Sequence, residues 1–329
     1  PTKITLKKPV VFPWPGEFQA GCFRVVLHLV DHSSFGSFAF EVEAAGKRLF
    51  YSGDFRDHGY IGKTLDIIGS RCRNGCEALL MEGTMFGRED EHVPTEQELA
   101  DQAKKICKAT AGVVLVYQSG QNVSRAVSFY KAARASGREF ALDYYTAHVL
   151  TELGQCRGGE SLPYPGNLPG VRVWFPRFLT NRAKEQGFFD IPKRYAPWKI
   201  TKKEIAQNQS KVMLFVRPGM EWDLRRIEGL QGATLVYSLW SGYRDKSGTK
   251  RFMDACAKMG IAEKPLHTSG HATRKAMMKL IEAVKPNVLI PIHTEHPERY
   301  ETLGYPVQTL QDGQVSRFSG NWTIADFSK

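Results

Sequence analysis

Residues 288–295 read Val-Leu-Ile-Pro-Ile-His-Thr-Glu, an apolar run that ends on His293. A short apolar run of this kind is typical of a buried strand, so the polar side chain that follows it is held at the edge of a sheet. The same arrangement recurs at three other places, Asp31-His32, Ser52-Gly53-Asp54 and Glu82-Gly83. The pattern predicts imidazole and carboxylate groups presented along one sheet edge.

Two further histidines lie in His267-Thr268-Ser269-Gly270-His271, between a predicted strand and a helix predicted over 273–284. Zinc binds imidazole nitrogen and carboxylate oxygen at about 2.0–2.2 Å. A single histidine is more often structural than metal-binding. The combination of these groups at strand ends nevertheless predicts a metal site.

The hydrophobic pattern changes near residue 94. The preceding residues predict strands over 23–30, 37–43, 48–52 and 78–81. Thr95 and Glu98 then form a capping box, which predicts a helix through residue 108. Strands and helices alternate after that, as in a sheet covered by helices. The predicted strands cover 113–117, 140–142, 212–216 and 234–238, and the predicted helices cover 123–135 and 147–153.

The composition excludes several classes of protein. Hydrophobic residues make up 42% of the 329 residues, which excludes a disordered chain. No apolar run approaches the ~18 residues of a membrane span, and six cysteines in this length do not predict a disulfide scaffold. We therefore expect a cytoplasmic protein with no membrane partner. The net charge of +11 and the pI of about 9.3 suit a polyanionic partner, and they suit a basic but ordinary enzyme equally well.

Five motifs occur in order along nearly the whole chain: His32-Ser33-Ser34-Phe35-Gly36-Ser37, Tyr51-Ser52-Gly53-Asp54-Phe55-Arg56, Leu80-Met81-Glu82-Gly83-Thr84, His267-Thr268-Ser269-Gly270-His271-Ala272 and Pro291-Ile292-His293-Thr294-Glu295. As a set they resemble the motifs of metallo-β-lactamase-fold nucleases of the β-CASP group, in particular ribonuclease J. The resemblance implies an α/β protein, a metallo-β-lactamase αββα sandwich with an inserted α/β β-CASP domain. The implied domains are a first metallo-β-lactamase part at 1–94, the β-CASP insertion at 95–240 and a closing part at 241–329.

The resemblance also implies roles for the residues at the sheet edge. His32 and His293 are similar to zinc ligands of the family, and Asp54 is similar to the carboxylate that bridges two zinc ions. Glu82 resembles an acidic residue that orients a metal-ligating histidine through a hydrogen bond. His271 is similar to a histidine beside the scissile phosphate, so Asp54, Glu82 and His271 are the expected catalytic residues.

The substrate side of the site follows from the same resemblance. His267, Ser269 and His271 would line the phosphate pocket. A histidine at the position of His293 goes with the RNA-cleaving members of the group, so RNA is the expected partner and two zinc ions are the expected cofactors. Two zinc ions neutralise a phosphodiester and lower the pKa of bound water to about 7.

The family's first zinc motif, His-x-His-x-Asp-His, does not occur in these residues. His28 has the wrong spacing to replace it and is interpreted as a packed strand residue. We therefore expect the chain, which starts at Pro1 with a strand-like alternation over 2–6, to lack N-terminal strands that supply metal ligands. Because His32, Asp54 and His293 alone are too few for two metals, this chain by itself would hold zinc weakly and be a poor nuclease.

The sequence leaves several alternatives open. A hydrolase of small esters or nucleotides would turn over small phosphodiesters without salt-sensitive RNA binding, whereas a catalytically silent RNA-binding or assembly subunit would bind RNA without turnover. A homo-oligomer also remains open. The basic residues Arg125, Lys131, Arg134 and Arg138 fit a solvated helix face and an RNA contact equally well. For Trp240 and Tyr243 core packing is preferred over base stacking, and for Cys72 and Cys76 two free thiols are preferred over a metal pair.

Overall fold

The structure is a computed structural model that describes residues 16–72, 75–88 and 92–316. The strand expected from the alternation over 2–6 lies outside the described residues. The chain divides into two compact units. The first comprises Pro1–His32, Gly36–His92 and Gly270–Lys329, and the second comprises Ser33–Phe35 and Val93–Ser269.

The described residues form strands β1 to β12 in chain order: Glu17–Ala20, Phe23–Val30, Ser37–Ala44, Lys47–Tyr51, Cys76–Glu82, Val114–Tyr117, Glu139–Asp143, Val171–Trp174, Val212–Val216, Thr234–Tyr237, Ala262–Pro265 and Pro286–Ile292. They form helices α1 to α10 in chain order: Thr64–Arg71, Glu96–Ala109, Val123–Ala135, Tyr144–Gly154, Arg177–Glu185, Asp190–Tyr195, Lys202–Gln207, Glu221–Leu224, Ser247–Lys258 and Arg274–Val284. None of these described helices is long and apolar enough to cross a membrane.

The first unit contains one six-stranded sheet in its described residues, in the order β1-β2-β3-β4-β5-β12. Strands β1 to β4 are antiparallel neighbours, whereas β4, β5 and β12 run parallel to one another. Strand β3 is antiparallel to both β2 and β4, so β2 and β4 run in the same direction. The carboxyl ends of β2, β4, β5 and β12 therefore lie at the same edge of the sheet. This edge carries the predicted site.

Helix α10 covers part of this sheet because its apolar residues recur every three or four positions. Ala276, Met277, Leu280, Ile281 and Val284 are all buried. They pack with Leu79 and Met81 of β5 and Leu289 of β12 in one hydrophobic cluster. The helix ends where Lys285 adopts a left-handed conformation, directly before Pro286.

The second unit contains a six-stranded sheet in the order β11-β10-β6-β9-β7-β8, in which every neighbouring pair is parallel. All four residues of β6 and all five of β9 are buried. A strand buried on both faces needs an uninterrupted apolar run, which explains why these strands do not alternate in sequence.

Helix α2 begins with the predicted capping box, since the Thr95 hydroxyl accepts from Glu98 N while the Glu98 carboxylate accepts from Thr95 N. Strand β11 pairs with β10 and therefore belongs to the second unit. For that reason the second unit continues to Ser269, whereas the predicted insertion ends at 240.

Two expectations about side chains on this unit need correction. Arg125 and Arg138 are 0% and 2% exposed, so they form neither a solvated helix face nor an RNA contact. Arg138 instead donates to backbone carbonyls, among them Cys107 O at 2.9 Å and Gly112 O at 2.9 Å. The preference for core packing of Trp240 and Tyr243 is also wrong, because they are 44% and 39% exposed.

Candidate metal centre

Four predicted site residues converge at the sheet edge of the first unit. One donor atom from each of Asp54, Glu82, His271 and His293 lies within 4.8 Å of the other three. The topology explains the convergence, because Glu82 ends β5 and pairs with Ile292, the last residue of β12. Asp54 follows β4, and the first residue after that strand, Ser52, donates its backbone N–H to Leu80 O of β5 at 2.9 Å.

His293 is held in a strained backbone conformation at this edge. Its φ is 47°, a left-handed value that is uncommon for a residue with a side chain. The imidazole Nδ1 lies 3.2 Å from Asp54 Oδ1 and 2.9 Å from Thr84 Oγ1, while the Thr84 hydroxyl also contacts the His293 carbonyl at 3.2 Å. These contacts hold the His293 imidazole beside Asp54.

Glu82 is completely buried and its carboxylate is saturated by donors. Oε1 accepts from Phe55 N at 3.3 Å and from Ala272 N at 3.0 Å, and Oε2 accepts from Thr84 N at 3.1 Å. His271 Nδ1 also lies 3.3 Å from Oε1. Because these donors occupy both oxygens of Glu82, we expect the carboxylate to orient the His271 imidazole and not to bind a metal ion.

His32 lies beside this group at the end of β2. Its Nδ1 is 2.5 Å from the carbonyl oxygen of Gly270, and its ring centroid is 5.2 Å from that of His271. The His271 ring is in turn 5.4 Å from the His293 ring. Three imidazoles therefore stand in a row, and each has its Nδ1 engaged by an oxygen atom, which sets the tautomer of a metal-binding histidine.

The electrostatics of this row differ from residue to residue. Burial by itself would raise the pKa of Glu82, but the hydrogen bonds from His271 and the backbone amides outweigh it, so that pKa is lowered. Burial would lower the pKa of His271, and the Glu82 carboxylate overcomes this and raises it. Burial lowers the pKa of His32, which favours the neutral imidazole that a metal needs.

The donor chemistry at this edge fits zinc. Zinc takes imidazole nitrogen and carboxylate oxygen, and a catalytic zinc normally has three protein ligands. Asp54 and His293 are 39% and 59% exposed at their side chains, so both are accessible to an ion. The group within 4.8 Å contains His271 and does not contain His32, which lies beside it. The role of His32, Asp54 and His293 as zinc ligands stays a prediction.

The remaining predicted residues, His267 and Ser269, belong to the second unit. His267 is exposed and its Nδ1 lies 3.5 Å from Nη1 of the buried Arg125. Arg125 also donates to Thr268 O at 2.9 Å. The role of His267 and Ser269 in a phosphate pocket stays a prediction.

Sequence reasoning missed two features of the first unit. Thr84 lies in one of the five motifs and has no predicted role, although it bonds to both the ring and the carbonyl of His293. The ion pair between Asp31 Oδ1 and Arg56 Nε, at 3.2 Å, has both side chains fully buried. The sequence offered one indication of this pair. Asp31 directly precedes the motif that begins at His32, and Arg56 lies within the motif at 51–56.

His28, Glu41 and Cys72 form a second group of metal-ligating side chains in this unit. His28 Nε2 lies 3.1 Å from Glu41 Oε2, and the Cys72 thiol donates to the same oxygen at 3.5 Å. Arg48 already compensates Glu41 from 3.6 Å. The group is a closed network of internal bonds, and burial raises the pKa of the Cys72 thiol to about 12, far from the thiolate that a metal binds.

Comparison with known proteins gives the context of this site. Residues 258–301 match a family model described as the RNA specificity domain of zinc-dependent metallo-hydrolases. That range contains His267, His271 and His293. The predicted zinc-dependent hydrolase class is consistent with this match.

The chain is 24% identical over 257 residues to ribonuclease J of Sinorhizobium meliloti, and the alignment covers 74% of this chain. It covers 42% of that relative, so the chain spans less than half of its length. A crystal structure of a protein of unknown function from Enterococcus faecalis has the same fold, with a TM-score of 0.73 at 20% identity over 94% of this chain and 67% of that one. The family match and the similarity to ribonuclease J support the predicted metallo-β-lactamase fold with a β-CASP insertion, of the ribonuclease J-like type.

Proposed function

We propose that this chain, a β-CASP metallo-β-lactamase-fold protein of the ribonuclease J-like type, hydrolyses RNA phosphodiester bonds with zinc. The observation that carries the proposal is the convergence of Asp54, Glu82, His271 and His293, whose donor atoms lie within 4.8 Å of one another. The family match at residues 258–301 supports RNA as the substrate class.

Each residue of the site has a role that its contacts support. Asp54, His293 and His32 would hold zinc, and when bound, zinc supplies Lewis-acid stabilisation of the phosphate charge. Thr84 holds the His293 imidazole at 2.9 Å and so orients it. Glu82 holds His271 at 3.3 Å from within the protein.

His271 is the proposed proton donor. A histidine whose Nδ1 faces a buried carboxylate is oriented, and its other nitrogen can give a proton to the leaving oxygen of a phosphodiester. The carboxylate also stabilises the charged imidazole before the proton is given away. His267 and Ser269 are proposed to bind the phosphate.

We further propose that the complete site holds two zinc ions. Asp54, His293 and His32 give three donors, fewer than two catalytic ions need. We propose that the remaining donors come from a segment of the His-x-His-x-Asp-His type outside these 329 residues. Zinc binding by this chain alone is then weak.

Two measurements test the proposal directly, the zinc content and the rate at which labelled RNA is cleaved. Both are made on this chain and on a longer chain expressed with the upstream coding sequence included. We expect two zinc ions and RNA cleavage in the longer chain, and less of both in the shorter one. A longer chain that binds two zinc ions, binds RNA and cuts no nucleic acid would contradict the proposal and favour a silent RNA-binding subunit. Turnover of small phosphodiesters without RNA cleavage would favour the small-ester hydrolase.

A further inference from the structure

Two of the proposed zinc ligands lie on chain segments that are not neighbours in the sheet of the first unit. His32 follows β2 and Asp54 follows β4, and β3 lies between those two strands. Strands separated by one other strand are roughly 10 Å apart. Ligands of one zinc ion each lie about 2.0–2.2 Å from it, so they must be closer together than that spacing. The approach of the two segments therefore needs a connection beyond the strands.

The residue pair Asp31 and Arg56 makes this connection. Arg56 N donates to Asp31 O at 2.8 Å, and the two residues form an isolated antiparallel bridge. Their side chains also pair, with Arg56 Nε 3.2 Å from Asp31 Oδ1 and both side chains fully buried. Asp31 directly precedes His32, and Arg56 follows Asp54 by two positions. The pair therefore joins the two segments at the point where each carries its proposed ligand.

Two glycines make room for this connection. Gly53 has a φ of 57°, and a Cβ at this position would lie 2.8 Å from the Phe38 carbonyl oxygen of β3. The chain can therefore leave β4 close against β3 on its way to Asp31. Gly59 lies against the Asp31 carboxylate, which a Cβ at that position would overlap. The loop after Arg56 thus closes over the pair and separates it from water.

The backbone that follows Asp54 is anchored while the Asp54 side chain stays accessible. Phe55 N donates to the buried Glu82 Oε1 at 3.3 Å, and the next residue, Arg56, is bound to Asp31. The Asp54 side chain is 39% exposed. A metal ligand needs this combination of a fixed backbone and an open carboxylate, because an ordered ligand loses little entropy when an ion binds.

Stability alone does not explain why a charged pair is buried at this place. Val30 and Phe55, the chain neighbours of the pair, belong to the apolar cluster of the first unit. Taking two charges out of water is costly, and apolar side chains of similar volume often stabilise a protein equally well. A guanidinium differs from an apolar side chain because its donors have a fixed geometry, which sets the position of a carboxylate.

We propose that Asp31 and Arg56 are positioning residues that set the distance between His32 and Asp54, so that both can bind the same zinc ion. They act through the proposed ligands beside them. His32 is held on its other side by Gly270, whose carbonyl oxygen lies 2.5 Å from Nδ1, so a shift of Asp31 would move the ring away from that oxygen. The inference rests on the proposed function, which names His32 and Asp54 as zinc ligands.

A double variant separates positioning from stability. Asp31→Asn combined with Arg56→Met removes both charges and nearly keeps both shapes, so we expect a melting temperature close to that of the wild type. The zinc affinity of the longer chain, measured by competition with a chelator, should fall about 10- to 100-fold. The matched control is Glu96→Gln combined with Arg125→Met. It removes another fully buried pair, in the second unit, and should leave zinc affinity unchanged.

A second measurement needs no metal and is made on this chain in EDTA. Because Gly270 O accepts from His32 Nδ1, the neutral imidazole of the wild type should carry its proton on Nδ1. Nitrogen-15 NMR of the histidine rings reports this tautomer, and a His32→Gln variant assigns the signal. We expect the Asp31→Asn and Arg56→Met double variant to lose the preference for this tautomer, and the control variant to keep it.

A folded double variant with the zinc affinity of the wild type would overturn the inference, and so would an equal loss of zinc affinity in the control variant. If the double variant does not fold, Arg56→Lys replaces it, because lysine keeps the charge and loses the fixed geometry of the guanidinium. Unchanged zinc affinity in Arg56→Lys is then the contradicting result. If the wild-type longer chain binds no zinc, the proposed function fails, and an unchanged His32 tautomer in the double variant overturns this inference separately.

Discussion

Thr84 shows how a single hydroxyl can determine the geometry of the candidate centre. It lies 2.9 Å from His293 Nδ1 and also contacts the carbonyl of the same residue. His293 has a φ of 47°, and a strained residue of this kind persists only where its surroundings hold it. We therefore expect Thr84 to orient the His293 imidazole and so to affect any metal ion that His293 binds.

Thr84→Val should weaken zinc binding about 10- to 100-fold, because valine keeps the shape and removes the oxygen that orients His293. Thr84→Ser keeps the hydroxyl and is the control. Zinc affinity is measured by competition with a chelator on the longer chain, with the melting temperature recorded for each variant. Unchanged zinc affinity in Thr84→Val would refute the role of Thr84.

His271→Ala should reduce RNA cleavage about 10²- to 10⁴-fold in the zinc-loaded longer chain while leaving its zinc content intact. The reason is that His271 is proposed to move a proton and not to hold the metal. Cleavage rate and zinc content are measured on the same preparation. Loss of zinc along with activity would show that His271 is a ligand and that its proposed role is wrong.

Glu41 provides a pH-dependent contribution to stability through its pairing with His28. The hydrogen bond from His28 outweighs burial and lowers the pKa of Glu41 below its ordinary value of 4.5. Since the folded state favours the carboxylate, this stabilisation is complete above pH 4.5 and is lost as the pH falls through the folded-state pKa.

Glu41→Gln should therefore lower the melting temperature at pH 7 and make the melting temperature fall less between pH 6 and pH 3. The matched control is Glu43→Gln, which makes the same charge change on β3 at a more exposed side chain. Thermal unfolding followed by circular dichroism gives both quantities. Parallel pH profiles for the wild type and Glu41→Gln would count against this pairing.

At the scale of secondary-structure elements, helices α2 and α3 are joined by a buried ion pair. Arg125 Nε on α3 lies 3.2 Å from Glu96 Oε2 on α2, and both side chains are fully buried. Ser128 donates to the same Glu96 oxygen at 2.6 Å, and Arg125 Nη1 donates to Ser238 Oγ at 2.5 Å. The pair therefore connects two helices with the loop that follows β10.

Arg125→Met should destabilise the protein by about 3–5 kcal/mol, because it leaves Glu96 buried without its counter-charge. Adding Glu96→Gln should recover part of this loss, since the second change removes the uncompensated charge. Lys131→Met is the control, an exposed residue on the same helix that should cost no more than ~0.5 kcal/mol.

Urea unfolding of the three variants and the double variant gives the free energies. If the two changes destabilise additively, the pair is not coupled and the interpretation of Arg125 as a structural cation fails. A large effect of Lys131→Met would show that the helix is sensitive to any loss of charge.

At the scale of the whole molecule, the net charge of +11 predicts salt-sensitive binding to RNA. Each phosphate that is neutralised contributes a slope of about −0.7 to a plot of log affinity against log salt for single strands. We expect several such contacts, so affinity should fall steeply as salt increases. Filter binding of a labelled single strand over a series of salt concentrations, in EDTA, measures the slope.

A flat salt dependence would contradict an RNA-facing role for the charge and would favour the hydrolase of small esters. The charge itself carries no information about where on the molecule RNA binds, and the two buried arginines show why. Arg125 and Arg138 count toward the +11 but are engaged in internal bonds.

The sequence by itself determined much of the local structure and predicted several of the groups that the structure brings together at the sheet edge. Strand Phe23–Val30 and helix Val123–Ala135 match their predicted bounds because apolar periodicity and local caps act over a few residues. Asp54, Glu82 and His293 were predicted because each closes an apolar run, and a strand holds the next polar side chain at a sheet edge. His271 was predicted from its motif at 267–272. No strand or helix is predicted between residues 154 and 211, and the structure forms β8, α5, α6 and α7 within that stretch.

Only the tertiary structure decided how those groups act. The bonds of Glu82 to Phe55 and Ala272 join residues 27 and 190 positions away, and no local pattern encodes such partners. Burial of Arg125 and exposure of Trp240 likewise depend on which surfaces meet after folding. Sequence patterns report the preference of one segment by itself, whereas burial and pairing arise from segments far apart in the chain, and here those contacts make Arg125 a structural cation.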